Sequence, residues 1–206
     1  MGLRGLFTLL ICLFCLGFWG CGGAREDRVG GFEGVECPDS AVFLPNEAAE
    51  MFRLGTQCGV NVAEVRSVVG RDTLVKRIYI REPFTRVAAL SSSQVGFMAR
   101  LGLANRIVAV GESRFVVDSA VRENAVEVGN GPALNLEKLV ALEPQLVLSF
   151  ATGGGQDDYE RLNSLGIPLL LTSEWQEESP LGKAEWIKLF AMLFCPDSIC
   201  SARAGD

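Results

Sequence analysis

The sequence predicts an α/β fold: a parallel sheet flanked by helices, preceded by a small antiparallel β ribbon. Three observations predict it. After residue 85, short and almost wholly apolar runs recur, the pattern of strands buried on both faces of a sheet. Between these runs, apolar residues fall three and four apart, which is helical spacing. Before residue 82, apolar and charged residues mix around a Gly-Arg-Asp turn, as in a ribbon with one face in water.

Taken in order, Ala49 to Leu54, Val60 to Val69 and Thr73 to Ile80 read as β segments. Gly70-Arg71-Asp72 supplies the turn between the last two. Leu74, Ile78 and Ile80 among Lys76, Arg77 and Arg81 suggest a half-exposed ribbon, which Pro83 ends. Arg86 to Leu90 is the first buried strand. Gln94 to Leu101 is a helix with Val95, Met98 and Leu101 inward, closed by Gly102. Arg106 to Val110 is the second strand, and Val126 to Val128 a shorter third. Leu136 to Leu142 is a helix stopped by Glu143-Pro144. Gln145 to Phe150 is the fourth strand, Asp158 to Leu165 a helix and Ile167 to Leu171 the fifth strand. Pro180 to Phe194 is a last helix, rich in aromatic residues.

Composition narrows the function. The chain has 206 residues and a formal charge of −6, from 19 Lys+Arg against 25 Asp+Glu. The acidic balance argues against a nucleic-acid partner, which would call for a basic stripe. There is no histidine. That removes Ser–His–Asp triads, Cys–His dyads and His-ligated zinc or haem.

The first twenty residues carry one charge, Arg4, ahead of the apolar run Leu6 to Phe14. This is the pattern of a secretory signal. The run is shorter than the ~20 residues a membrane span needs. Cys21 follows Gly20 and resembles the lipid-modified cysteine of a bacterial lipoprotein signal; the alternative is an ordinary cysteine near a signal-peptidase site. Residues 21–40 are polar and Gly-rich and read as a flexible tether. An exported, membrane-anchored protein of the cell envelope is the expected location.

Cys12 and Cys15 form a C-x-x-C inside the apolar signal, where it is a decoy. Cys37, Cys58, Cys195 and Cys200 remain in an exported context. Cys195 and Cys200 are close enough to pair, but sequence assigns no pairing. Their spacing lacks a zinc knuckle, so no metal site is expected.

No catalytic motif survives inspection. Gly129-Asn130-Gly131 starts a dinucleotide fingerprint, but Leu134 replaces its third glycine and Pro132 disrupts the helix entry. Gly182-Lys183 lacks the remainder of a phosphate loop. Gly153 to Gly155 could cradle an anion or simply connect a strand to a helix. Asp157-Asp158 and Glu177-Glu178 read as solvated charge pairs. Carboxylates such as Glu112 or Glu174 could serve acid–base chemistry, but no nucleophile motif accompanies them, so no enzyme and no cofactor are expected.

In a parallel sheet, ligands bind beyond the carboxyl ends of the strands. Those ends place Ser91, Ser92, Ser93, Gln94, Arg114, Phe115, Asn130, Thr152 and Trp175 as candidate ligand-binding residues. Hydroxyls, amides, one cation and aromatics suit a bulky polar or anionic organic molecule.

Five stretches then carry a family resemblance: RVAALSSSQVGFMARLGLANRIVAV at 86–110, Asn135-Leu136-Glu137, Leu142 to Leu148, Leu165 to Pro168, and EESPLGKAEWIKLF at 177–190. In this order they resemble the substrate-binding proteins of cobalamin and iron-siderophore ABC importers, with two α/β lobes joined by a long helix. The last stretch, with the ribbon, is similar to a lipoprotein branch of that family. The resemblance implies an extracytoplasmic solute-binding component for a metal chelate: a ferric siderophore, a haem-like or a corrinoid compound. It implies ABC permease subunits as partners, with Glu137 docking onto them, and membrane attachment through Cys21. The metal would arrive inside its chelate. An α/β interaction module of the cell envelope is the alternative.

By this resemblance, residues 41–82 are the ribbon and 83–194 the N-terminal lobe with the start of the inter-lobe helix. Residues 195–206 match nothing in the family pattern. A truncated or frame-shifted product of one lobe is therefore expected, to be tested by reading the downstream DNA in all frames. Half a cleft should bind weakly, since it cannot bury most of a ligand's surface.

Overall fold

The computed structural model describes residues 40–150, 161–162 and 164–195. Two sheets organise them. The first is antiparallel, in the order β1 (Val42–Leu44), β2 (Phe52–Gln57), β3 (Val60–Val69), β4 (Asp72–Ile80). The second is parallel, in the order β7 (Val126–Glu127), β6 (Ile107–Val110), β5 (Val87–Ala89), β8 (Leu146–Phe150), β9 (Leu169–Thr172). The expected fold class is therefore the observed one.

Central β5 shows why apolar runs form this sheet. Side chains alternate across a strand, so Val87 and Ala89 enter one core while Ala88 and Leu90 enter another. Leu146 and Leu148 of β8 join the first, and Val147 the second. Helices α1 (Ser92–Arg100) and α5 (Ile187–Phe194) contribute to the first core through Val95, Met98, Leu189 and Phe190. Helix α3 (Leu136–Ala141) covers the other through Leu139.

The antiparallel sheet has four strands rather than three. Three-residue β1 pairs Val42 with Thr56 and Leu44 with Leu54. The segment expected as a strand from Ala49 starts at Phe52 instead, because residues 47–51 bond elsewhere. The β2–β3 turn puts both Cys58 (φ 51) and Gly59 (φ 77) at positive φ, as a two-residue type I′ hairpin requires. Cys58 is also disulfide-bonded, as is Cys195 at the end of α5. Phe52, Ala63, Val65 and Ile80 pack into the first core beside Trp186. Phe52 meets the Trp186 ring edge-on at 5.1 Å. On the opposite face Glu64 lies between Arg53 and Arg77, accepting from Arg77 at 2.7 Å, with Arg53 4.4 Å over the Phe43 ring.

Two carboxylates join the antiparallel sheet to the α4 (Pro180–Glu185) region. Glu185 accepts the backbone N–H groups of Glu47, Ala48 and Ala49, and Glu177 those of Glu50 and Met51. Glu177, expected to be solvated, is buried and also takes the Trp186 indole N–H at 2.9 Å. Gln176 adds a two-way amide bond to Val68, and Ser67 donates to the Leu171 carbonyl.

The last helix is not continuous: it divides at Trp186 into α4 and α5. Ser179 caps α4, its hydroxyl accepting the Gly182 N–H, and Pro180 takes the first turn, where no donor is needed. At the far end of α5, Arg106 donates to the carbonyls of Phe194 and Phe84, satisfying a helix-end acceptor. Helix α2 (Ser119–Asn124), held by its Asp118 cap, was not expected from sequence. Among the described residues no helix is long and apolar enough to cross a membrane.

Candidate functional site

The parallel sheet reverses its strand order between β5 and β8, with β6 and β7 on one side and β9 on the other. Loops leaving neighbouring strands part at such a reversal and open a crevice at the carboxyl ends. A cleft of about 330 Å³ lies beyond the carboxyl ends of β5 and β6, beside this reversal, and reaches Phe150 at the end of β8. Ala89, Leu90 and Val110 form its apolar floor; Ser91, Ser92, Glu112, Phe115, Asn130 and Phe150 form its walls.

Glycines let these loops converge. A Cβ on Gly111 would stand 2.5 Å from the Leu90 carbonyl oxygen and 3.1 Å from Asn130 Nδ2. The Gly111 carbonyl accepts the Gly129 N–H at 2.9 Å, and Gly129 holds φ at 77°, beneath Ala133. This brings Asn130 against the loop after β5. Glu127 fixes the loop after β6: the Ser113 hydroxyl and N–H both donate to it and hold its carboxyl below the usual range.

Ser91 is the N-cap of α1. Its Oγ accepts the Ser93 N–H at 3.3 Å, and Gln94 Oε1 returns to the Ser91 N–H at 2.9 Å, a capping box. Gln94 is fully buried, and its Nε2 donates to the Ser149 carbonyl and Thr172 Oγ1, both at 3.0 Å. It ties β5, β8 and β9 together rather than lining the cleft. Ser93 donates its hydroxyl to buried Glu174 and lies 2.7 Å from Ser91 Oγ.

Of the candidate residues, Ser91, Ser92, Phe115 and Asn130 thus converge on the cleft. Ser93 and Gln94 stand behind it. Arg114 turns outward, 73% exposed, bonded to Glu112 at 2.6 Å and 4.6 Å over the Phe115 ring. Trp175 is half-exposed in the turn Glu174–Gln176 and is not among the lining residues. Thr152 and Cys21 lie outside the described residues. Glu137 is exposed in the first turn of α3. Phe150, which lines the cleft, was not foreseen from sequence, whereas Glu112 stands among the residues that the strand ends offer. Glu112 follows strand-ending Gly111 directly, so the strand-end rule already pointed to it.

The cleft presents hydroxyls, a carboxylate, an amide and aromatic edges over an apolar floor. Such a set has the chemistry to hold an organic solute by hydrogen bonding and ring contact.

Comparison with known proteins gives the same direction. The family model described as "Periplasmic binding protein" matches residues 87–195. An uncharacterized lipoprotein, MJ0878, of Methanocaldococcus jannaschii is 25% identical over 126 residues, covering 56% of this chain and 30% of the relative. The vitamin B12-binding protein of Vibrio campbellii is 28% identical over 87 residues, covering 42% of this chain and 31% of the relative. That of Yersinia pestis is 33% identical over 84 residues, covering 41% and 29%. The chain thus spans about 30% of the length of the curated relatives it matches. Among solved structures, the heme binding protein HmuT superposes with a TM-score of 0.51 at 22% identity, over 68% of this chain and 43% of that one. A possible iron-binding (periplasmic solute-binding) protein of Staphylococcus epidermidis superposes at 0.50 and 17% identity, over 60% and 47%. At these identities the superpositions speak for the fold alone.

Proposed function

The chain belongs to the periplasmic binding protein family, and on that premise we propose that it is the extracytoplasmic solute-binding component of an ABC importer for a metal chelate. The family places it outside the cytoplasm. The observation that carries the reading is the cleft beyond the carboxyl ends of β5 and β6, whose walls come from the loops after β5, β6 and β7 and from Phe150 at the end of β8. An apolar floor under polar and aromatic walls fits a large ring or chelate better than a small ion. Matches to vitamin B12-binding proteins favour a corrinoid within that class. We assign ligand contact to Ser91, Ser92, Glu112, Phe115 and Asn130.

Glu137, exposed at the start of α3, docks on an arginine-bearing permease surface, a charge pair that orients more than it tightens. Cys21 carries the lipid anchor. The signal pattern at residues 1–20 and the match to a lipoprotein support that assignment. Equilibrium dialysis of the full chain against cyanocobalamin, hemin and ferrichrome tests the function; it is contradicted if none of the three is retained.

A further inference from the structure

The hydrogen-bond chain behind the cleft has a direction. Ser93 donates its hydroxyl to Glu174 Oε1. A serine hydroxyl carries one proton, so Ser93 has none left for Ser91. The 2.7 Å contact between the two hydroxyls is therefore Ser91 donating to Ser93. Ser91 Oγ also accepts the Ser93 N–H. Its proton is directed inward, and what it can offer the cleft is a lone pair. On the same wall Glu112 is likewise an acceptor, and Arg114 is already bonded to it.

Glu174 is 7% exposed, and its second oxygen, Oε2, is buried with no hydrogen-bond partner among the described residues. Ser93 is thus the carboxyl's single hydrogen-bond contact among the described residues. Burying a carboxyl for one serine does not favour stability. The cost is explained by what the carboxyl does to the two serines.

We propose that Ser91 and Glu112 form an acceptor wall that selects a ligand edge bearing N–H donors, primary carboxamides being the fitting class, over an edge bearing carboxylates or esters, and that Glu174 is the positioning residue that sets the polarity of Ser91. The proposal rests on the cleft being the ligand site, and it narrows the bulky polar or anionic solute expected from sequence. Asn130 and the Ser92 hydroxyl, each both donor and acceptor, accommodate either edge.

Two measurements test it. Neutron diffraction from crystals of the full chain exchanged into D2O locates the serine deuterons. The expected map has the Ser93 deuteron toward Glu174 and the Ser91 deuteron toward Ser93; a Ser91 deuteron aimed into the cleft overturns the proposal whatever the ligand. Calorimetric titration then compares cyanocobalamin, whose corrin edge carries primary amides, with dicyanocobyrinic acid heptamethyl ester, which carries esters there. The full chain is expected to prefer the amide form by about tenfold, the scale of one hydrogen bond. Ser91→Ala and Glu174→Leu should each lower that ratio, leaving only the share that Glu112 keeps, with Glu174→Leu no less stable to urea. Equal affinity for the two probes, or a ratio unchanged in Glu174→Leu, overturns the proposal. If neither probe binds while the deuterons point inward, the corrinoid reading falls and the acceptor wall stands for another donor-bearing solute.

Discussion

The Glu185 carboxylate accepts the Ala48 backbone N–H at 2.7 Å, joining α4 to the loop between β1 and β2 across 137 residues of chain. With Glu177 it takes all five N–H groups of residues 47–51. Consecutive N–H groups of this kind make an anion-binding concavity. Here the anions are side chains of the same protein, and the result fastens the antiparallel sheet to the lobe that carries the cleft.

Replacing Glu185 with Gln removes the charge from three N–H bonds and from the Lys188 contact. Hydrogen bonds to a charged group contribute about 1.5–3 kcal/mol. We expect Glu185→Gln to lower urea stability at pH 7 by about 2 kcal/mol, and Glu185→Ala by more. A change within 0.5 kcal/mol, the ordinary scale of a surface substitution at roughly ±0.5, would contradict the fastening role.

Acid should undo the same contact. Burial pushes the Glu185 carboxyl up, but the N–H groups of Glu47, Ala49 and Ala48, with Lys188, outweigh it and hold the carboxyl at about 2, down from 4.5. A depressed folded value means the stabilisation is complete above 4.5 and is lost as pH falls through about 2. The stability gap between the native chain and Glu185→Gln should therefore shrink between pH 5 and pH 2 in urea titrations. Glu64 responds in the same sense: burial raises its carboxyl, but bonds to Arg53 and Arg77 hold it below the usual range.

Gly111 should be sensitive in function before stability. A Cβ there meets the Leu90 carbonyl, so Gly111→Ala must push the loops after β5 and β6 apart. Overpacking of this kind costs about 1–3 kcal/mol. We expect a folded variant by circular dichroism whose affinity for the solute falls at least about tenfold, a loss set by misplacing Ser91 and Asn130. Unchanged affinity would place the ligand elsewhere.

Glu137→Lys should separate binding from transport. The side chain is exposed, and a cation in the first helical turn costs about 0.3–1 kcal/mol. Solute binding by the purified variant should match the native chain, while uptake by cells carrying it falls. Normal uptake would remove Glu137 from the docking surface.

Much of the fold was legible because burial on both faces leaves an unmistakable run, as in Val87 to Leu90. Strand β1 was not, since Val42 and Leu44 remain exposed and the strand exists only by pairing with β2. Helix α2 buries Val121 alone and depends on its Asp118 cap. Within the site, Ser91 and Asn130 could be found by the strand-end rule. The interior role of Gln94 was also readable, as the fourth residue of a Ser-x-x-Gln capping box. Glu177 and Glu185 were not readable, because the five N–H groups they take in residues 47–51 lie more than a hundred residues away and are backbone groups, which carry no sequence signature.

The central claim is that the cleft beside the β5–β8 reversal binds a metal chelate. Calorimetric titration of the full chain with cyanocobalamin, hemin and ferrichrome, beside a Ser91→Trp variant that fills the cleft, tests it most directly. Saturable one-to-one binding of at least one chelate is expected for the native chain and none for the variant. No saturable binding of any of the three, or binding that Ser91→Trp leaves intact, would contradict it.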